Sequence, residues 1–185
     1  MVLKIVQVGD PVLRAKARLL TPEEIRSSRV QNLIADMRES MYAAPGVGLA
    51  APQVGESLQL AVIEDKAEYH KNLSAADLKD RGRISVPFHV IINPEIELLT
   101  PAEIAFHEGC LSLPGFMAVV PRAEKVRVAC LDERGKRKTI EASGWYARIL
   151  QHEIDHLQGR VYVDRMRSET FSTLENYQAN LKKSS

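Results

Sequence analysis

Apolar residues recur at helical spacing near the start of the chain and predict an amphipathic helix. Residues 21–24 (TPEE) have the composition of a helix start, since Thr can cap the first turn and Pro suits its first position. Pro45 and Gly46 interrupt the pattern, so we expect the helix to reach about Tyr42. Its apolar positions are Ile25, Val30, Leu33, Ile34, Met37 and Met41.

Short apolar or alternating runs further along the chain predict β-strands. Turn residues bound these runs, such as Asn93-Pro94 after the second one. Strands are predicted at 58–63, 88–92, 96–99, 116–120, 126–131 and 138–141. Because short turns separate most of them, antiparallel pairing is favoured over alternating βαβ units.

A second helix is predicted between Ser143, which can cap its first turn, and Gly159, where helices commonly end. One stripe of this helix carries Trp145, Ile149, His152 and His156, at spacings of four, three and four residues. Other faces carry Leu150, Ile154 and Leu157. A helix that is apolar on several faces is usually buried, so we expect it in the middle of the fold.

Two segments carry weaker patterns. Residues 64–85 are polar and irregular and predict an exposed loop or insertion, in which His70 is solvated. A last helix is predicted over about 172–181, and the polar tail at 182–185 is expected to be frayed. No internal repeat is present, so residues 1–185 are interpreted as a single domain.

Composition excludes several classes of protein. Apolar residues make up 45% of the chain and charged residues 26%, as in ordinary globular proteins. A net charge of +1 gives no electrostatic basis for nucleic-acid binding, and the basic run at 136–138 is interpreted as a solvated turn. No apolar run approaches the roughly 20 residues of a membrane span. Without a secretory signal, we expect an intracellular protein in which Cys110 and Cys130 are reduced.

Residues 152–156 (HEIDH) form an H-E-x-x-H motif on the second predicted helix. Residues four apart share one helix face, so both imidazoles can reach one metal ion. Glu153 lies one residue further round, where its carboxylate can act on a water at the metal. The alternative, a merely polar surface, fits poorly because the same stripe carries Trp145 and Ile149. The motif indicates a metal site but does not name the reaction.

A third metal ligand has to come from outside this helix. Cys110, within EGCLS (108–112), lies between predicted strands, and a thiolate with two imidazoles leaves one tetrahedral position open. For an isolated cysteine a buried packing role is the commoner alternative. Cys130, in a strand pattern, keeps that interpretation. His107 competes as a ligand but is expected to face the other way, and His89 is interpreted as an ordinary core or edge histidine.

Residues 46–53 (GVGLAAPQ) are the third segment of chemical interest. Their small side chains let the backbone approach a ligand closely, and Gln53 can offer an amide donor to a developing oxyanion. The segment is no Walker loop, because no Gly-Lys-Ser/Thr follows, and it lacks the later glycine of a dinucleotide-binding loop. Alone it is weak evidence.

Together, GVGLAAPQ (46–53), EGCLS (108–112) and HEIDH (152–156) resemble, in order and approximate spacing, the three motifs of the peptide deformylases. The resemblance extends from residues 9–13 to about Met166. It implies a hydrolase that removes the formyl group from N-terminal formylmethionine and releases formate. It also implies an α+β fold, in which antiparallel strands pack around a central buried helix carrying the H-E-x-x-H motif.

The resemblance implies a metal centre with Cys110, His152 and His156 as protein ligands and water in the fourth place. Glu153 would be the general base and then the acid. The family's metal is generally Fe²⁺, and Zn²⁺, Ni²⁺ or Co²⁺ can substitute for it. Acidic residues near the ligands, Glu108 and Asp155, are expected to orient them.

Further roles follow from the same resemblance. Gln53 and the backbone N–H of Leu111 would stabilise the oxyanion, and Gly48 and Gly109 would lie beside a substrate held like an added β-strand. The pocket for the methionine side chain is expected to be lined by Val47, Trp145 and Ile149. Arg122 can pair with one of the acidic residues named above, unless it belongs to an exposed ion pair.

The implied partners are formyl-Met N-termini of nascent peptides, near the ribosome, without direct contact to nucleic acid or membrane. Monomer and homodimer stay open, as do a bacterial cytoplasm and an organelle after removal of a leader. A zinc endopeptidase is a second hypothesis, although no downstream third His or Glu ligand is evident. A metal-stapled binding module is a third, and it needs a fourth protein ligand that is hard to find.

Overall fold

The computed structural model describes residues 1–181, so the tail predicted at 182–185 lies outside the described residues. The helices are α1 (Pro22–Arg26), α2 (Ser28–Ala43), α3 (Ala75–Asp80), α4 (Gly144–Leu157) and α5 (Leu174–Asn176). The strands are β1 (Gly48–Ala50), β2 (Leu60–Asp65), β3 (Val86–Leu98), β4 (Ala102–Cys110), β5 (Leu113–Ala123), β6 (Lys125–Leu131), β7 (Arg137–Ser143) and β8 (Ser172–Thr173). All pairings between these strands are antiparallel, as predicted, in a mixed helix and sheet fold.

The strands form a five-stranded sheet, in the order β1-β2-β3-β6-β7, and a three-stranded sheet, in the order β4-β5-β8. The larger sheet is covered on both faces. Along β2, Ala61 and Ile63 pack in the cluster that contains α4, whereas Leu60 and Val62 pack in the cluster that contains α2. This two-sided burial explains why β2 is a continuous apolar run rather than an alternating one.

The helix predicted over 25–42 is divided in two. The side chain of Thr21 accepts a hydrogen bond from the N–H of Glu24, and the Glu24 carboxylate accepts one from the N–H of Thr21, which starts α1. Ser27 has extended backbone angles, so it ends α1 and caps α2. The apolar spacing continued across this break, which is why the pattern alone predicted one helix.

Strands predicted at 88–92 and 96–99 are one long strand, β3. Asn93 does not end the strand, because it adopts a φ of 50° at a shift in register between Ile92 and Glu95. Its side chain donates to the carbonyl of Leu20 and accepts from the N–H of the same residue. The Asn-Pro pair therefore makes a bulge, which bends the strand and lets it continue.

Helix α4 begins after Ser143 and lies against the larger sheet. Ser143 makes no capping hydrogen bond with its side chain, contrary to the prediction. Gly159 follows the helix with a φ of 74°, and a Cβ there would lie 2.7 Å from the carbonyl oxygen of Arg14. Apolar residues on α4, such as Leu150 and Ile154, are buried in the core together with several polar ones.

Residues 64–85, predicted as an irregular exposed loop, are partly helical and partly packed. They contain a 3-10 turn (Ala67–His70) and α3. Asp65 is fully buried and accepts two hydrogen bonds from Arg83, at 2.8 and 2.9 Å. His70 is not solvated, because its Nε2 lies 3.1 Å from the same carboxylate. Polar contacts to the buried carboxylate of Asp65 help to hold this segment, so its polar sequence was misleading.

No strand is predicted where β4 lies, because its residues do not alternate in polarity, and in the structure they are mostly exposed or half-buried. The helix predicted over 172–181 is broken: β8 comes first, then the single turn of α5, and then a π-helical turn (Tyr177–Leu181). Within residues 1–181, no helix has the length and apolar character needed to cross a membrane.

Candidate metal centre and active site

The two histidines of the H-E-x-x-H motif meet Cys110 inside the fold. His152 and His156 lie one turn apart on α4, with their imidazole centroids 5.0 Å apart. Cys110 is the last residue of β4, and its Sγ lies 3.3 Å from Nε2 of His156. One ligand atom from each of the three residues lies within 4.8 Å of the others, close enough for them to share one cation.

The donor chemistry of this cluster fits a divalent cation. Burial, and then the neighbouring His152, hold the pKa of His156 well below its ordinary value, so its imidazole is neutral and keeps a lone pair. Nδ1 of His152 lies 3.0 Å from Glu108, which leaves Nε2 of His152 for a cation. Oε2 of Glu153, also buried, has no hydrogen-bond partner among residues 1–181. Thiolate and imidazole donors beside an unpaired carboxylate oxygen suit a cation with water.

A cation at this centre competes with a proton on His152. Burial lowers the pKa of His152, but hydrogen bonds to Cys110 and Glu108 outweigh burial and raise it well above its ordinary value. Metal ligands bind in their deprotonated form, so affinity for a cation depends on pH.

Glu153 lies in a confined position beside the first strand. It is 3% exposed, and burial raises its pKa to about 7. A Cβ at Gly48 in β1 would lie 2.3 Å from Oε1 of Glu153, so glycine is what leaves room for this carboxylate. A carboxyl group with a pKa near neutrality can both take up and release a proton.

Gln53 is held with its amide nitrogen toward Cys110. It belongs to a 3-10 turn (Ala51–Val54) that follows β1, and it is buried. Its Oε1 accepts a hydrogen bond from the N–H of Ala50 at 2.9 Å, which fixes the orientation of the amide. Its Nε2 donates to Ser112 Oγ at 3.2 Å and lies 3.5 Å from Cys110 Sγ. Ser112, which the sequence analysis gave no role, thus helps to hold Gln53.

The cluster opens into a cleft of about 470 Å³. The cleft is lined by all the residues predicted to contact substrate, which are Val47, Gly48, Gly109, Trp145 and Ile149. Leu111 also lines it. Two arginines that the sequence analysis missed, Arg81 and Arg83, reach the cleft from the segment predicted as a loop. Their guanidinium groups lie 5.0 and 5.3 Å from the ring centroid of Trp145.

Buried charges surround the ligands. Glu108 accepts two hydrogen bonds from Arg122, at 3.0 and 2.9 Å, in addition to its contact with His152. Burial alone would raise the pKa of Glu108, but His152 and Arg122 lower it well below its ordinary value. Arg122 is 2% exposed and also pairs with Asp155, so of the two alternatives the pairing with these acidic residues is found and the exposed ion pair is wrong. Arg165 makes two further hydrogen bonds to Asp155, at 2.7 and 2.8 Å.

Other residues considered in the sequence lie outside the cluster. His107 lines the cleft but is not part of the ligand cluster, and its ring centroid lies 4.5 Å from that of Tyr177. Nε2 of His89 forms a hydrogen bond of 2.9 Å with the hydroxyl group of Tyr146. Cys130 is buried in β6 and, like Cys110, forms no disulfide.

Arg148 is a further residue of the site that the sequence did not predict. It lies one helical turn before His152, so helical spacing placed it on the same face. That spacing is a signal for Arg148, but spacing alone does not show that an arginine in a buried helix is paired.

Fold and cluster together define a class, the mixed helix and sheet proteins that carry an H-E-x-x-H metal-binding motif. Within that class, the family model for polypeptide deformylase matches residues 2–172. The chain belongs to this family.

Individual relatives agree with this assignment. Peptide deformylase 1A of Arabidopsis thaliana, chloroplastic/mitochondrial, is 47% identical over 94% of this chain. Peptide deformylase 3 of Streptomyces avermitilis is 46% identical over 94% of this chain and 75% of its own. These two relatives are an organellar and a bacterial protein. The chain spans 64% of the length of the Arabidopsis relative, less than two thirds.

A solved structure is similar in fold. A class I type b peptide deformylase from Acinetobacter baumannii, crystallised with Met-Ala-Ser bound, aligns with a TM-score of 0.79. The two are 30% identical, and the alignment covers 90% of this chain and 99% of the other.

Proposed function

We propose that this protein is a metal-dependent peptide deformylase, a hydrolase that removes the formyl group from the N-terminal formylmethionine of nascent polypeptides and releases formate. The observation that carries the proposal is the approach of Cys110 to His152 and His156 within 4.8 Å, beside Glu153. Family membership supports the same activity.

We assign the metal ligands as Cys110, His152 and His156, with α4 as the central metal-binding helix of the fold. We propose Fe²⁺ as the resident ion and expect Zn²⁺, Ni²⁺ or Co²⁺ to substitute. A bound divalent cation supplies Lewis acidity, which polarises a carbonyl oxygen and lowers the pKa of water. The mixed thiolate and imidazole donor set supports this assignment.

Glu153 is proposed as the group that moves the proton. Its carboxylate accepts a proton from the water that attacks the formyl carbon and then delivers it to the departing amine nitrogen. The C–N bond breaks, and formate and a free N-terminal amine are produced. A pKa of about 7 supports this role, because the group can exist in both forms near neutral pH.

Substrate is positioned by the walls of the cleft. We propose that Gln53 Nε2 and the backbone N–H of Leu111 donate to the oxygen that gains negative charge. Gly48 and Gly109 lie beside the substrate backbone, which pairs with the protein like an added strand. The methionine side chain is received by an apolar pocket of Val47, Trp145 and Ile149. The bound Met-Ala-Ser of the Acinetobacter relative supports a peptide ligand of this kind.

The substrate partners are formyl-Met N-termini emerging near the ribosome, with no direct binding of nucleic acid or membrane. The similarity to bacterial and organellar relatives supports a cytoplasmic location in a bacterium or a mature organellar form. We leave monomer and homodimer as alternatives to be measured by sedimentation.

The test is formate release from formyl-Met-Ala-Ser by protein loaded anaerobically with Fe²⁺. We expect activity that a chelator abolishes and that Glu153→Gln reduces by at least about 1,000-fold, because the proton carrier is lost. Cys110→Ala is expected to lose both bound metal and activity. Asp132→Asn is a matched surface control, since the Asp132 side chain accepts hydrogen bonds from the backbone of an exposed turn, which an asparagine oxygen can also accept.

Equal formate release by wild-type protein and by Glu153→Gln would refute the mechanism. Cleavage of internal bonds in an unformylated protein such as casein, without formate release, would favour an endopeptidase. A tightly held metal without either activity would favour a binding module.

A further inference from the structure

We propose that Arg148 is a positioning residue for the metal centre: it fixes the Glu108 carboxylate, which in turn orients His152. The inference rests on the proposed function, since it concerns the same centre. Arg148 is 3% exposed and lies on the wall of the cleft, one turn of α4 before His152.

The guanidinium of Arg148 connects three elements of the fold. Its Nη1 donates to Oε1 of Glu108 at 2.6 Å and to the carbonyl oxygen of Val120 at 2.8 Å. Its Nη2 donates to the carbonyl oxygen of Ile104 at 2.5 Å. Ile104 lies in β4 and Val120 in β5, so one planar group ties α4 to both strands of the hairpin that also carries Glu108 and Cys110.

The four contacts of Glu108 are divided between its two oxygens. Oε1 receives Nε of Arg122 and Nη1 of Arg148, whereas Oε2 receives Nη2 of Arg122 and faces Nδ1 of His152. Arg122 also donates a hydrogen bond from its Nη1 to the carboxylate of Asp155. Arg148 therefore opposes rotation of the carboxylate, and Oε2 stays where the imidazole of His152 needs it.

A purely structural role for Arg148 is the competing explanation. Removing one partner of a buried ion pair lowers folding stability whatever else that residue does, so a loss of stability does not separate the two roles. Groups that fix a metal-bound imidazole act instead on metal affinity, and their loss typically weakens it by about 10- to 100-fold. Metal affinity and the state of His152 thus separate the two roles better than activity does.

The experiment measures Co²⁺ binding to metal-free wild-type protein, Arg148→Lys and Arg148→Met by the visible d–d absorption. We expect the dissociation constant to rise about 10-fold in Arg148→Met. We expect a smaller rise in Arg148→Lys, because an ammonium group is a compact donor that cannot reproduce the planar fork. Circular dichroism establishes which variants fold, and if only the Lys variant folds, it decides the test.

A second readout follows His152 itself. In the Co²⁺-loaded protein, the Nδ1–H proton of a ligating imidazole gives a strongly shifted NMR signal, and its exchange with water reports the hydrogen bond to Glu108. We expect faster exchange for His152 in the Arg148 variants. The corresponding proton of His156 is the internal control, since Nδ1 of His156 has no hydrogen-bond partner among residues 1–181.

Two further variants test whether Arg148 acts through Glu108. In a Glu108→Gln background, Arg148→Met should change the Co²⁺ dissociation constant by less than about twofold. The effects of the two substitutions should not add, because both disturb the same contact between the Glu108 carboxylate and His152. Arg127→Met is the matched control, since it removes an arginine whose carboxylate partners, Glu97 and Glu141, lie at the exposed surface and not at the metal centre. We expect its Co²⁺ affinity to stay within about twofold of wild type.

Folded Arg148 variants that bind Co²⁺ within twofold of wild type, with unchanged His152 exchange, would overturn the proposal. So would a full effect of Arg148→Met in the Glu108→Gln background. Failure of the proposed function has a different signature, because the wild-type protein would then bind no Co²⁺ or release no formate.

Discussion

The helix wall and the glycine wall of the cleft hold their polar groups by opposite means. The helix wall, formed by α4, is fixed by buried ion pairs, since Arg122 binds both Glu108 and Asp155. The glycine wall, residues 46–53, contains no charged side chain and is placed by close backbone packing. The helix wall is therefore sensitive to the removal of a partner, whereas the glycine wall is sensitive to the addition of atoms.

The strongest way to break the helix wall is Arg122→Met. It leaves the carboxylates of Glu108 and Asp155 buried without one of their cations. We expect a loss of about 3–5 kcal/mol in the free energy of unfolding, measured by urea denaturation. Arg127→Met is the control, because Arg127 pairs with Glu97 and Glu141 at the exposed surface and should cost less than about 1 kcal/mol. Similar losses in both variants would contradict the comparison.

The helix wall also carries a group that prefers to be neutral. Burial raises the pKa of Glu153 from 4.5 to about 7, so between these pH values the folded chain keeps a proton that the unfolded chain has lost. In metal-free protein this stabilisation is complete below about pH 4.5 and is lost as the pH rises to about 7. It amounts to about 3 kcal/mol at 1.36 kcal/mol per pKa unit.

The check is urea denaturation in the presence of a chelator, for wild-type protein and Glu153→Gln. Since glutamine does not titrate, the difference in unfolding free energy between the two should change by about 3 kcal/mol across that range. A difference that does not vary with pH would show that Glu153 titrates normally.

Gly48→Ala tests the glycine wall by adding one carbon atom. The new Cβ would meet Oε1 of Glu153 at 2.3 Å, so the carboxylate has to move. We expect kcat to fall about 100-fold, because displacements of about 1 Å at a reacting group have effects of that size. In Gly46→Ala the Cβ meets the flexible end of Leu111 at 2.9 Å, and kcat should fall only a few-fold. A larger fall in kcat for Gly46→Ala than for Gly48→Ala would contradict the proposed role of Gly48 in leaving room for Glu153.

The smallest expected effect comes from Gln53→Leu. It leaves the buried N–H of Ala50 without its acceptor, which should cost about 1–3 kcal/mol in stability. Ser112→Ala removes only the acceptor on the other side of the amide and should cost less. Thermal unfolding measures both, and a larger effect at Ser112 would indicate that the amide is oriented the other way round.

The sequence predicted best what is local. Helix α4 and the shared face of its histidines follow from a spacing of four residues, which any helix enforces. The approach of Cys110 to that face was an expectation about long-range packing, and complementary donor chemistry supported it. Strand β4, which carries Cys110, gave no periodic signal because much of it is half-buried.

What escaped prediction depends on partners distant in the chain. Arg83 binds Asp65 across a segment whose polar composition resembles a solvated loop. Arg148 meets Glu108 across 40 residues, and nothing local distinguishes a buried, paired arginine from an exposed one. The break between α1 and α2 was missed for the opposite reason, since the apolar spacing ran through it.

The distance along the chain between the proposed metal ligands has a consequence for synthesis of the protein itself. Cys110 and His156 are 46 residues apart, and they meet only when the hairpin of β4 and β5 has docked on α4. A ribosome that has passed Cys110 but not His152 has made a chain with a single donor in place. We therefore expect tight metal uptake only after α4 has been translated and packed, so that loading would report completed folding.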